Sequence, residues 1–142
     1  MTIRRAVPDE GAALRVLIDA AYQAYRDAGI QLPDVTDGLE DEIVAGRVWV
    51  AELENGVGGV LNLSVEPPNA HLINVAVAPL ARGQGVGGAL IRFAIDMARA
   101  SGCDALNLAT HSDLADNIAL YQHLGWQVVE AGAGKTLMTL TL

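Results

Sequence analysis

The chain is short of aromatics, of basic charge, of cysteine and of long apolar runs, and each shortage closes off a class of protein. Aromatics are only 4% of the 142 residues, so the core has to be aliphatic. Nine Lys and Arg stand against seventeen Asp and Glu, a net charge of −8. A general nucleic-acid binder needs the reverse, a basic footprint for the phosphates. The single Cys103 cannot close an internal disulfide, which fits a reducing compartment. No apolar stretch approaches the roughly 20 residues of a membrane span. Asp9 and Glu10 follow Arg4 and Arg5 too soon for a secretory signal. The expectation is a cytoplasmic protein with neither a membrane nor a nucleic-acid partner. The 51% hydrophobic fraction argues against disorder, and the length suits one domain spanning 1–142.

What is present is a regular succession of strand and helix signals. Thr2–Val7 reads as a strand, and Asp9 is placed to cap a helix from Glu10 to Ala28, with Leu14, Leu17, Ile18, Ala21 and Tyr25 at helical spacing. Asp37 is placed to cap a short helix, Gly38–Ala45. Val48–Leu53 and Val57–Val65 read as strands joined by the Asn55-Gly56 hairpin signal. After Pro67-Pro68-Asn69 comes a strand at His71–Ala78, then a glycine-rich loop and a helix from Gly85 to Ser101. Ala105–Thr110 reads as a strand, Leu114–Leu124 as a helix capped by Asp113, and Trp126–Glu130 and Thr136–Leu142 as two last strands. The order β-α-α-β-β-β-α-β-α-β-β implies an α/β (α+β) domain whose mixed, mostly antiparallel central sheet is flanked by helices.

The most informative stretch is Arg82-Gly83-Gln84-Gly85-Val86-Gly87-Gly88, between a strand and a helix. Glycines let the backbone approach a ligand closely, and the first N–H groups of a helix form a ready anion site. Three readings are open on the residues alone. The loop can be a structural turn. Gly83, Gly85 and Gly88 fit G-x-G-x-x-G, but a Rossmann unit wants this motif after its first strand. A nucleoside-triphosphate loop needs a Gly-Lys-Ser/Thr that does not follow.

The longer pattern Val77-x-Pro79-x-x-Arg82-Gly83-x-Gly85-Val86-Gly87-x-x-Leu90 resembles the cofactor motif of the GNAT N-acetyltransferase family. Asn117-Ile-Ala-Leu-Tyr121-Gln-His-Leu-Gly-Trp126 resembles the same family's later helix, which ends in Tyr-x-x-Leu-Gly-aromatic. The resemblance covers nearly the whole chain and is weakest in residues 1–50. It implies a single GNAT-like domain that moves an acetyl group from acetyl-CoA directly to a primary amine, with no metal. The pantetheine arm would run along Val75, Ala76 and Val77, and the diphosphate would rest on Arg82, Gly83, Gln84, Gly85, Val86, Gly87 and Gly88. Asn117 would touch the cofactor, although the commonest family spacing puts an asparagine at the place of Leu114.

Tyr121 is then the candidate proton donor to the departing sulfur, and packing is its other role. His71, six residues before Val77, is the first candidate base, with His111 next and Glu66 behind. His123 reads as a solvent-facing helix residue, Cys103 as an inert buried thiol, and Trp49 and Trp126 as core. Tyr22, Tyr25 and Leu32-Pro33 lie where the family builds an acceptor wall. The negative charge, with Asp34 and Asp37, favours a small cationic amine as acceptor. A homodimer is compatible with the family, and the apolar strand Thr136–Leu142 could pair. The alternative to an enzyme is a non-catalytic acyl-CoA-binding or regulatory module on the same fold, and a nicotinamide-dependent enzyme is third.

Overall fold

The computed structural model describes residues 1–32 and 36–142. Strands β1 (Thr2–Arg5), β2 (Val48–Leu53), β3 (Gly56–Glu66), β4 (Asn69–Val77), β5 (Ala105–Thr110), β6 (Gln127–Ala131) and β7 (Thr136–Thr141) are joined with helices α1 (Gly11–Asp27), α2 (Leu39–Val44), α3 (Val86–Ala100) and α4 (Ala115–His123). This is the expected order of elements, with single 3-10 turns added at Pro8–Glu10 and Pro79–Ala81. The strands hydrogen-bond in the order β1-β2-β3-β4-β5-β7-β6. β1–β2, β2–β3, β5–β7 and β6–β7 are antiparallel, and β4–β5 is parallel. Parallel neighbours need a long crossover, which α3 supplies. The mixed, mostly antiparallel sheet is therefore as expected. No helix among the described residues is long and apolar enough to cross a membrane.

The chain divides into two compact units, Met1–Leu63 with Asn74–Phe93, and Ser64–Ile73 with Ala94–Leu142. In the first, Leu14 and Ile18 of α1 and Leu39 and Ile43 of α2 bury against Val48 and Val50 of β2 and Val60 of β3. Each such side chain contributes about 1.5–3 kcal/mol of transfer free energy. Arg15 of α1 reaches across to Glu40 of α2 at 2.8 Å and to Thr36 at 2.9 Å. Its guanidinium draws the Glu40 carboxyl down to about 2. In the second unit, Leu106 and Leu108 of β5, Met138 of β7 and Ala98 of α3 are buried.

The expected helix caps are not the ones used. Asp9 falls inside the 3-10 turn, and Glu10 instead caps backward, accepting from the Val7 N–H at 2.9 Å. α2 begins at Gly38 in the left-handed region, φ 73°, and not on the Asp37 side chain. The N-cap of α4 (Ala115–His123) is Leu114, one residue after Asp113, with no side-chain cap. β4 starts at Asn69, two residues early, because Asn69 pairs with Ala105.

α3 lies against β3 at a glycine. A Cβ on Gly59 would come to 2.6 Å from Val86 Cγ1, 2.9 Å from Leu90 Cδ1 and 3.2 Å from the Ala76 carbonyl oxygen. Two of these atoms belong to buried side chains and the third to backbone, so none yields freely. Gly59→Ala should therefore destabilise the fold by about 1–3 kcal/mol, the usual cost of overpacking. Urea denaturation checks this; a midpoint equal to that of the native chain would show that α3 can move off β3 at little cost.

Candidate functional site

β4 passes through the 3-10 turn at Pro79–Ala81 into Arg82 and the glycines. Gly83 and Gly85 have φ of 79° and 78°, the left-handed region that side-chain-bearing residues enter at a cost. A Cβ on either would meet nothing within 4 Å, so the outer face of the turn is open. The Gly85 carbonyl accepts from Ala89 N–H at 3.0 Å. The N–H groups of Val86, Gly87 and Gly88 therefore precede the first intrahelical bond and point out of the α3 N-terminus. Val86 anchors that end, fully buried. A Cβ on Gly87 would stand 3.4 Å from Val77 Cγ2, so the first turn of the helix lies close to β4. Gln84 Nε2 donates to the Leu80 carbonyl at 3.4 Å and braces the turn. Arg82 Nη2 donates to the Ala21 carbonyl at 3.2 Å, which ties the loop to α1. Val75, Ala76 and Val77 lie on β4 past its parallel pairs with β5, which run from Asn69↔Ala105 to Leu72↔Leu108.

Tyr121 is half-buried on α4, its ring 5.4 Å from that of Trp126 in an edge-to-face arrangement. Such pairs contribute about 0.5–1.5 kcal/mol beyond area burial. Trp126 is itself fixed by its Nε1–H, which donates to the Leu106 carbonyl at 3.0 Å. Asn117 precedes Tyr121 by one helical turn, on the same side of α4. His71 is exposed on β4, directly opposite Asn107 of β5. Both line a cavity of about 500 Å³, together with Ile73, Ala109, Lys135 and Leu137. His111 is not among its lining residues; its Nδ1 accepts from the Asp113 N–H at 3.1 Å, which leaves Nε2 as its outward nitrogen. Glu66 and His123 are exposed, and Cys103, Trp49 and Trp126 are buried. No group of His, Cys, Asp and Glu among the described residues is arranged to hold a metal ion.

Residues 14–126 match the family model "Acetyltransferase (GNAT) family". The chain belongs to the GNAT acetyltransferase family. It is 30% identical over 142 residues to the Escherichia coli (strain K12) protein "Uncharacterized N-acetyltransferase YjgM", covering 94% of this chain and 85% of that one. It is also 30% identical over 123 residues to human "N-acetyltransferase 8B", covering 81% of this chain and 54% of the human one. The PaiA N-acetyltransferase of Thermoplasma acidophilum, solved in complex with coenzyme A, shares the fold with a TM-score of 0.87 at 16% identity, over 99% of this chain and 98% of that one. Like other members of the family, the protein is an acetyl-CoA-dependent acyltransferase.

Several polar groups of this GNAT chain escape a sequence reading. Tyr22 Oη donates to Asn74 Oδ1 of β4 at 2.5 Å, a pair separated by some fifty residues of chain. Tyr22 and Tyr25 stack obliquely at 6.0 Å. Asn62 Oδ1 of β3 is buried with no hydrogen-bond partner among the described residues. Asn107 is legible only once β4 and β5 are known to be parallel neighbours, and Lys135 reads in the sequence as one more turn residue. Pro33 and Asp34, expected near the acceptor, lie outside the described residues, and Asp37 is exposed. Trp126 is the element that holds Tyr121 in place. Trp126→Phe removes the buried bond to Leu106 and should cost about 1–3 kcal/mol in urea denaturation; a loss under about 0.5 kcal/mol, ordinary for an exposed site, would show that the indole N–H does not fix the ring.

Proposed function

We propose that the protein acetylates a primary amine, with the donor held by backbone and the protons handled by side chains. The observation that carries this reading is the open α3 N-terminus behind two left-handed glycines, Gly83 and Gly85. It matches what a diphosphate requires: unpaired N–H groups, a favourable helix dipole, no side chain in the way and a nearby guanidinium. Arg82, Gly83, Gln84, Gly85, Val86, Gly87 and Gly88 would hold the diphosphate of acetyl-CoA. The backbone of Val75, Ala76 and Val77 would take the pantetheine by strand-like hydrogen bonds, with an N–H there polarising the thioester carbonyl. Asn117, one turn before Tyr121, would support the pantetheine.

The amine nitrogen attacks the thioester carbon, a C–N bond forms, and the tetrahedral oxyanion collapses with cleavage of the C–S bond. Two protons leave the original ammonium; one ends on the sulfur and one in solvent. An alkylammonium of pKa about 10.4 is neutral in only about one molecule in 2,500 at pH 7, a cost of about 4–5 kcal/mol, so a base is worth having. His71 is the side chain best suited to it, being an exposed imidazole that lines the cavity of about 500 Å³. His111, with Nδ1 engaged, is the second candidate. Tyr121 would protonate the leaving thiolate with its phenolic O–H, a hydrogen-bond donor.

Two kinetic outcomes test these roles. Tyr121→Phe should lower kcat by about 10²-fold or more, in the range expected of a lost general acid, while KM for acetyl-CoA stays within about twofold; an unchanged kcat removes Tyr121 from the chemistry. His71→Ala should flatten the acidic limb of the kcat/KM profile, since no imidazole remains at that place whose protonation would switch the base off. A profile that keeps its acidic limb transfers the role to His111 or to water.

A further inference from the structure

The cavity beside His71 has a chemistry of its own. Its volume of about 500 Å³ is within the range of small-molecule sites. Ile73, Ala109 and Leu137 give it an aliphatic wall. Its polar groups among the described residues are His71, Asn107 and Lys135, and no Asp or Glu among the described residues lines it. Asn107 Oδ1 already accepts from Thr139 Oγ1 at 2.6 Å, so the amide offers its N–H₂. Lys135 is the chain's only lysine, and it makes no ion pair among the described residues. A cation and an amide donor on an aliphatic wall recognise an anion attached to an apolar body. They disfavour a polycation, which would meet an ammonium in its path.

We infer that this cavity takes the acceptor, and that the acceptor is an apolar amino carboxylate, such as an α-amino acid with an aliphatic or aromatic side chain, its carboxylate read by Lys135. This rests on the acetyltransferase reading, and it deepens it by naming the substrate class. The apolar side chain packs on Ile73, Ala109 and Leu137, the carboxylate meets Lys135 and the Asn107 amide, and the amine is left beside His71, which takes its proton. The class is opposite to the cationic amine that the net charge of −8 suggests. Net charge is screened beyond a length of about 8–10 Å, whereas a lysine lining the cavity acts at contact.

The test compares L-leucine, L-methionine and L-phenylalanine with their amides and with spermidine, in a thiol-release assay with acetyl-CoA. Native protein should acetylate at least one free amino acid with a KM at least tenfold below that of its amide. Lys135→Gln should raise that KM about tenfold or more and leave the amide unchanged. Preference for spermidine, or an equal effect of Lys135→Gln on acid and amide, overturns the inference. Calorimetric titration with the N-acetyl amino acids, without coenzyme, separates the two claims. Lys135-dependent binding there, with no binding of acetyl-CoA, would uphold the cavity's ligand class and refute the acetyltransferase reading. Acetyl-CoA binding with no binding of any of these compounds would do the reverse.

Discussion

The close approach of α3 to β3 at Gly59 is the constraint from which the donor site follows. Any side chain there would press on Val86, Leu90 and the Ala76 carbonyl, so the first turn of the helix is seated on the sheet only because that residue is glycine. Val86 and Leu90, both fully buried, then fix the direction of the helix axis. The chain has to reverse between β4 and this seated helix, and it does so through Gly83 and Gly85 in the left-handed region. The N–H groups that no helix can satisfy internally are left facing outward across an open turn. The proposed diphosphate site would thus be a consequence of packing, and the same glycines that make the turn also leave the space in front of it open.

The donor and acceptor sides of the reaction draw on different parts of the chain's chemistry. In the proposed reaction acetyl-CoA would meet backbone: helix N–H groups and a strand segment beyond its parallel pairs. The acceptor would meet side chains. His71, Asn107 and Lys135 come from β4, β5 and the turn before β7, and only the pairing His71↔Asn107 and the β6–β7 reversal bring them to one cavity. Both His71 and Lys135 are exposed, so substituting them leaves the aliphatic core undisturbed.

This division also explains what could be read in advance. The element order, the β2 and β5 limits and the glycine turn are local: they depend on periodicity, on Asn55-Gly56 and on runs of glycine. The family motif lies in the same local signals. Caps were less legible. Asp9, Asp37 and Asp113 each have a helix-capping side chain, but a 3-10 turn takes in Asp9, and the N-caps of α2 and α4 are a left-handed Gly38 and Leu114. The acceptor cavity was illegible for another reason. Lys135 and Asn107 carry no motif, and their meaning comes from register between strands distant in sequence. A net charge of −8 pointed towards a cation, while the groups lining the cavity are donors.

The account stands most directly on the binding of acetyl-CoA by the glycine turn. Calorimetry with acetyl-CoA and, separately, with NADPH should give micromolar affinity for the first and no heat for the second. In Gly85→Val, checked for native secondary structure by circular dichroism, acetyl-CoA binding should be lost, because a β-branched residue enters the left-handed region at a cost and fills the space before the helix N-terminus. Failure of the native protein to bind acetyl-CoA, or undiminished binding by Gly85→Val, would contradict the placement of the donor on this turn.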